Sequence, residues 1–236
     1  MGLARTLRPV TRFPSRLKKA VQSPEKALAH ARYVARVWYL RLIEGPEGRL
    51  FDKANRVQTS GKIEHDRLDG VSSVQHATWY EPVELRYLRS SVRRFCAMFG
   101  TDFHFIDIGC GEGRACFYAA GFFRSVAGVD FSPTLIRRAS ENAATFRNRR
   151  GCAIDFAVAD AADYRLPPRR SVIFLYNPFD EIVLSKFIKG NADVLREHRS
   201  FIVYVNSVHS SVLDDAGFKC RYRRRSYLPV SIYSCG

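Results

Sequence analysis

From residue 101 onward the apolar positions fall into short, nearly unbroken runs separated by amphipathic stretches. FHFIDIG, SVAGVDF, AIDFAVAD, SVIFLYN and SFIVYVN are runs of the first kind, the pattern of strands covered on both faces. EGRACFYAAGF, SPTLIRRASENAATF and DEIVLSKFIKGNADVL space their apolar residues for helices, and Ser132 and Pro133 supply the second with an N-cap and a first helical position. AGFKCRYRR and RSYLPVSIYS end the series as a candidate antiparallel pair. Alternating strands and helices predict an α/β domain with a mostly parallel sheet and helices on both faces.

Before residue 101 the rhythm differs. SPEKALAHARYVARVWYLRLIEG reads as one helix, with Ser23 as N-cap, Pro24 at its first position and Gly45 just past its end. FDKANRVQTSGKIEHDRLDG is polar and turn-rich, and an amphipathic helix follows from about residue 82 to 99, closed by Gly100. Three parts are expected: a basic helical extension over 1–50, a lead-in or lid segment with its helix over 51–100, and the α/β domain over 101–236.

Charge sharpens this division. Of a net charge of +15, residues 1–50 contribute 11 Lys or Arg against Glu25, Glu44 and Glu47, and GFKCRYRRRS near the end adds five more cations. Such a field attracts polyanions, whether a nucleic acid, an anionic membrane surface or an acidic protein. No apolar run approaches the roughly 18 residues of a membrane span. The six cysteines show neither zinc-like spacing nor a signal-peptide context, which predicts reduced thiols, no metal site and a cytoplasmic protein.

The chemistry concentrates where strands should end. In such sheets ligands bind at the carboxyl ends of the strands, which gathers Gly109, Asp130, Asp160, Asn177 and Asn206 around one crevice. FIDIGCGEGR runs from a strand through Gly109, Gly111 and Gly113 into a helix, and glycines there let the backbone approach a ligand closely. A P-loop would need Gly-Lys-Ser/Thr, which is missing. A dinucleotide fingerprint would need a small residue at 114, where Arg114 stands. What remains is a G-x-G-x-G turn preceded by Asp107 within the strand. Glu112 and Arg114, at the helix start, are expected to face solvent.

DIGCGEG, with Asp130 21 residues after Gly109, Asp160 in FAVADAAD and YNPF after the fourth strand, resembles the class I S-adenosylmethionine-dependent methyltransferases over about residues 80–236. FDKANRVQTSG, WYEP and FLYNPF resemble, more closely, bacterial methyltransferase-domain proteins of unassigned substrate. The resemblance implies a Rossmann-like methyltransferase fold, a seven-stranded sheet with an antiparallel last strand, and S-adenosylmethionine as cofactor. It implies that Gly109, Gly111 and Gly113 cradle that cofactor while Asp107 orients the loop and helps hold the methionine ammonium. It places Asp130 on the ribose hydroxyls, Phe131 beside the adenine, and Asp160 with the Ala161 backbone at the adenine amino group. Tyr80 and Glu81 are candidates to fold over the cofactor.

In amino-group methyltransferases an Asn-Pro-Pro-Tyr/Phe segment accepts hydrogen bonds from the acceptor nitrogen and aims its lone pair. By that resemblance Asn177, the Pro178 carbonyl and the Phe179 ring are the expected catalytic set, though YNPF has one proline and the acceptor does not follow from it. His209 and His76 are further candidate bases. The expected activity is methyl transfer, most simply to nitrogen, on an unidentified acceptor for which the charge favours a macromolecule over a small anionic molecule. The alternative is a non-catalytic nucleic-acid-binding protein built on the same scaffold.

Overall fold

The computed structural model describes residues 24–60, 82–148, 150–176 and 178–235. The chain divides into two compact units, Met1–Pro46 and Glu47–Gly236. The described part of the first is helix α1 (Pro24–Tyr39) followed by a π-helical turn, Leu40–Glu44, and helix α2 (Gly45–Asn55) crosses the division. Here the expected stop at Gly45 is corrected. Gly45 takes right-handed helical angles (φ −60°, ψ −50°), and the polar FDKAN stretch is helical rather than a turn. Pro46 explains this, because a proline in a helix's first turn loses no internal hydrogen bond and arrives with its φ already helical.

Helix α3 (Leu85–Phe99) leads into the sheet and ends at Gly100, as its pattern predicts. There follow β1 (His104–Ile108), α4 (Arg114–Ala119), β2 (Ser125–Asp130), α5 (Pro133–Thr145), β3 (Ala153–Val158), β4 (Ser171–Tyr176) and α6 (Glu181–Glu197). The chain closes with β5 (Phe201–Val205), α7 (Ser211–Asp215), β6 (Lys219–Arg224) and β7 (Val230–Ser234). The seven strands lie in the order β3-β2-β1-β4-β5-β7-β6, parallel except for β7, which is antiparallel to both of its neighbours. The Ser132 cap read from sequence is in place, its Oγ accepting the N–H of Leu135, while Ser23 lies outside the described residues. Asp180 caps α6 as well, its Oδ1 accepting the N–H groups of Ile182 and Val183.

Strand alternation sorts the core into two layers. Phe105, Phe174 and Val203 pack on one face with Phe95 of α3 and Phe123. Ile106, Ile173, Ile202 and Tyr204 pack on the other with Phe187 and Ile188 of α6. Asp107, two residues after Phe105, shares the aromatic-rich face, so its carboxylate starts from an apolar setting. Among the described residues no helix is long and apolar enough to cross a membrane.

Candidate functional site

The strand order reverses between the neighbours β1 and β4, so a crevice opens at their carboxyl ends. One wall is the glycine turn after β1. Gly109, Gly111 and Gly113 have φ of 79°, 54° and 88°, a left-handed region that side chains rarely tolerate. The Gly109 and Cys110 N–H groups both donate to the Val129 carbonyl, at 2.8 and 3.0 Å, and so tie the turn to β2. A Cβ on Gly113 would stand 2.8 Å from the Phe156 ring and 2.9 Å from that of Phe117. A Cβ on Gly128 would meet the same Phe156 ring at 2.6 Å. Phe156 therefore wedges the turn from beneath, a role its place in an alternating strand pattern does not reveal.

The opposite wall comes from the end of β4. A Cβ on Gly109 would fall 2.3 Å from Pro178 Cβ, so Pro178 lies directly on the first glycine of the turn. Phe179 is 7% exposed and packs with Ile108, Val129, Leu175 and Val183. Sequence reasoning expected that ring to lie against an acceptor. It lies in the core instead, in the layer that also holds Ile106, Ile173 and Phe187. Asn177, Tyr80, Glu81 and His76 fall outside the described residues. His209 is half-buried beside α7, its carbonyl accepting the Val212 N–H, and Asn206 follows β5 with φ 55°.

Two buried acids stand behind the turn. Asp130 ends β2 at 6% exposure, with Oδ2 accepting the Gly111 N–H at 2.9 Å and Oδ1 that of Ser132 at 3.0 Å. Burial raises its pKa, and the N–H groups of Ser132, Gly111 and Phe131 oppose that rise. Asp107, 4% exposed, has one side-chain partner among the described residues, the Cys116 thiol at 3.9 Å. Burial, reinforced by the nearby Asp130, pushes its pKa up to about 8. The same burial raises the Cys110 and Cys116 thiols well above their usual range, so neither is a nucleophile near neutral pH. Asp160 lies two residues beyond β3, half-buried, and its Oδ1 accepts the Ala162 N–H at 2.9 Å; Ala161 and Phe131 are likewise half-buried.

The expectation that Glu112 and Arg114 face solvent is corrected, since each is 4% exposed. Glu112 pairs with Arg138 at 2.9 Å. The Arg114 guanidinium donates to Thr59 Oγ1 at 3.0 Å, the Thr59 carbonyl at 3.0 Å, Ser60 Oγ at 2.9 Å and the Val83 carbonyl at 3.2 Å. Asp52 accepts from Thr59 Oγ1 and Ser60 Oγ, both at 2.7 Å, which orients those oxygens toward Arg114. Gly48 lets α2 come close, because a Cβ there would touch Ser60 Oγ at 2.9 Å. The first residue of α4, adjoining the turn, thereby fastens the lead-in to the sheet. The one sequence signal was a large cation where a dinucleotide turn wants a small residue.

Residues 105–198 match the family model described as a methyltransferase domain. The fold is similar to that of magnesium protoporphyrin IX methyltransferase from Synechocystis PCC 6803 with bound S-adenosylmethionine, at TM-score 0.51 and 18% identity over 63% of this chain and 78% of that one. It is also similar to an S-adenosylmethionine-dependent methyltransferase from Leishmania major, at TM-score 0.50 and 14% identity over 63% of this chain and 71% of that one. The methyltransferase domain of bacterial CtHen1-C matches at TM-score 0.50 and 15% identity over 63% and 96%. No curated protein matches the chain. This stretch is thus similar to a methyltransferase domain, and the sheet has the fold seen in S-adenosylmethionine-dependent methyltransferases.

Proposed function

We propose that the protein transfers a methyl group from S-adenosylmethionine to a nitrogen atom of a macromolecular acceptor. The observation that carries this reading is the seating of Pro178 on Gly109, which brings the segment after β4 against the cofactor turn. The residues present fit the cofactor. The Asp107 carboxyl, buried beside a thiol and near the Asp130 carboxyl, bonds no cation among the described residues, and a methionine ammonium would supply one. When bound, the cofactor contributes an electrophilic methyl on a sulfonium, so the protein's task is alignment more than acid–base work.

The chain's own residues divide that task. The glycine turn offers backbone N–H groups and room for close approach. Asp107 holds a positive charge in its ionised form. Asp130, already oriented by Gly111 and Ser132, keeps acceptor capacity for ribose hydroxyls, since each carboxylate oxygen has a second lone pair. Asp160 and the Ala161 backbone are assigned the adenine edge, with Phe131 beside it and Tyr80 over it. Pro178 offers its carbonyl to the acceptor N–H, and the neighbouring Asn177 its carboxamide, so both N–H bonds are held and the lone pair is left free to attack. Phe179 anchors that segment in the core.

Incubation with methyl-labelled cofactor and fractionated cell extract tests the reading. Label should enter a protein or nucleic-acid fraction, and Asn177→Ala should lower its rate about 10²–10³-fold while cofactor affinity stays near normal. Full activity in that variant would remove Asn177 from the site, and label in no macromolecular fraction would overturn the acceptor class.

A further inference from the structure

The edge of the sheet opposite the glycine turn holds a second cleft of about 340 Å³. Arg170 immediately precedes β4, Arg199 lies two residues before β5, and Arg221 is on β6, whose first residue shares a level with the start of β5 through Ser234. These three arginines line the cleft together with Met98, Phe99 and Phe201. No acidic residue lines it among the described residues. The cations around it differ in their occupation. Arg169 donates to His104, Arg196 is near Asp193 and donates to the Ala216 carbonyl, and Arg223 bonds Asp214 and the Tyr233 hydroxyl. Arg170, Arg199 and Arg221 pair with no carboxylate among the described residues. Arg221 donates to Ser234 Oγ at 2.8 Å, and Arg170 stacks 4.2 Å from the centre of the Phe103 ring.

The floor is aromatic and partly open. Phe99 and Phe201 stack with ring centroids 4.3 Å apart, and Met98 beside them is 39% exposed. Three cations from separate chain segments, with no carboxylate partner among the described residues, around an apolar floor call for a ligand with both an anion and a flat apolar part. Guanidinium forks match phosphate oxygens, and aromatic and thioether surfaces accept a base. We propose that this cleft binds the phosphate of a nucleotide through Arg170, Arg199 and Arg221 while the base lies on Phe99 and Met98. The site is distinct from the methyl-transfer crevice, since the two lie at opposite ends of the strands. It holds whether or not the acceptor assigned above is correct.

A free nucleotide and a nucleotide within a single strand present this same chemistry. The chain has two methionines, Met1 and Met98, so methyl-labelled methionine gives one reporter inside the cleft. The intact protein is titrated with ADP and, separately, with a single-stranded oligonucleotide, while the Met98 methyl resonance is followed. A saturable shift is expected. It should weaken about tenfold in Arg199→Gly and vanish in Arg170→Gln with Arg199→Gly. Arg199 has a φ of 48°, which glycine adopts without strain, so the single variant keeps the fold. Tighter binding of the oligonucleotide, with a log–log salt slope about 0.7 smaller for each lost contact, assigns the cleft to single strands; tighter ADP binding assigns it to free nucleotides. A Met98 resonance that neither ligand moves, or that moves equally in both variants, overturns the proposal.

Discussion

At the carboxyl edge of the sheet Asp107 and Asp130 are 4% and 6% exposed, and at the amino edge Arg170, Arg199 and Arg221 stand in solvent. Both edges gather ionisable groups of one kind, but under different physics. Behind the glycine turn desolvation dominates, so the acids respond to geometry and to proton concentration and hardly to salt. Around the amino-edge cleft the charges keep their hydration, respond to ionic strength, and add little to the stability of the fold. Arg114 makes the contrast within one residue type, since it is buried with four hydrogen bonds while Arg199 is exposed with no side-chain partner among the described residues. Burial decides whether an arginine is part of the fold or a contact for something else.

The largest expected effect is at Gly109. Gly109→Ala forces a side chain into the left-handed region, at about 1–2 kcal/mol, and drives a Cβ into Pro178, at about another 1–3 kcal/mol. Cofactor affinity should fall below detection and the thermal midpoint should drop. An alanine variant that binds cofactor normally would break the claim that the turn and the β4 segment form one site.

Arg114→Gln should be next. It strands the Thr59 and Val83 carbonyls in a buried setting and should destabilise the protein by about 2–4 kcal/mol in chemical denaturation. Arg199→Gly should change stability by less than about 1 kcal/mol, because glycine fits the positive φ and an exposed cation is lost. Equal losses in the two variants would abolish the distinction between the edges.

Asp107→Asn gives a smaller, pH-dependent effect. Asp107's pKa is raised from 3.8 to about 8 on folding, so the stability it contributes is full below about 3.8 and is lost as pH rises toward 8. Without cofactor, the asparagine variant should therefore gain on the wild type across that window, by about 3 °C or more in melting temperature at pH 8. With cofactor the sign reverses. Loss of a charge-assisted contact of about 1.5–3 kcal/mol should weaken binding about 10- to 100-fold.

Much of this was legible in the chain. The near-continuous apolar runs and the Ser132 cap specify strands and helices locally, and the glycine spacing with Asp107 and Asp130 locates the crevice, since those features depend on neighbours in sequence. Gly45 misled because Pro46 beside it starts a helix as readily as a glycine ends one. The Arg114 clamp was missed because its partners, Thr59, Ser60 and Val83, are brought to it only by tertiary packing. Phe179 resembles an acceptor-site aromatic, and only the packing of the fold shows it buried. The amino-edge cleft was equally hidden, as its arginines come from three separate segments of the chain and look in sequence like ordinary surface charge.

The central claim is that the buried acid behind the glycine turn receives the positive end of the cofactor. Calorimetric titration of S-adenosylmethionine into the intact protein near neutral pH, in two buffers of different ionisation enthalpy, tests it directly. The account predicts one saturable site whose occupation releases protons, approaching one per molecule bound, because Asp107 enters protonated and leaves ionised. Asp107→Asn should bind more weakly and without that release. No saturable binding, or a proton release that survives unchanged in Asp107→Asn, would contradict it.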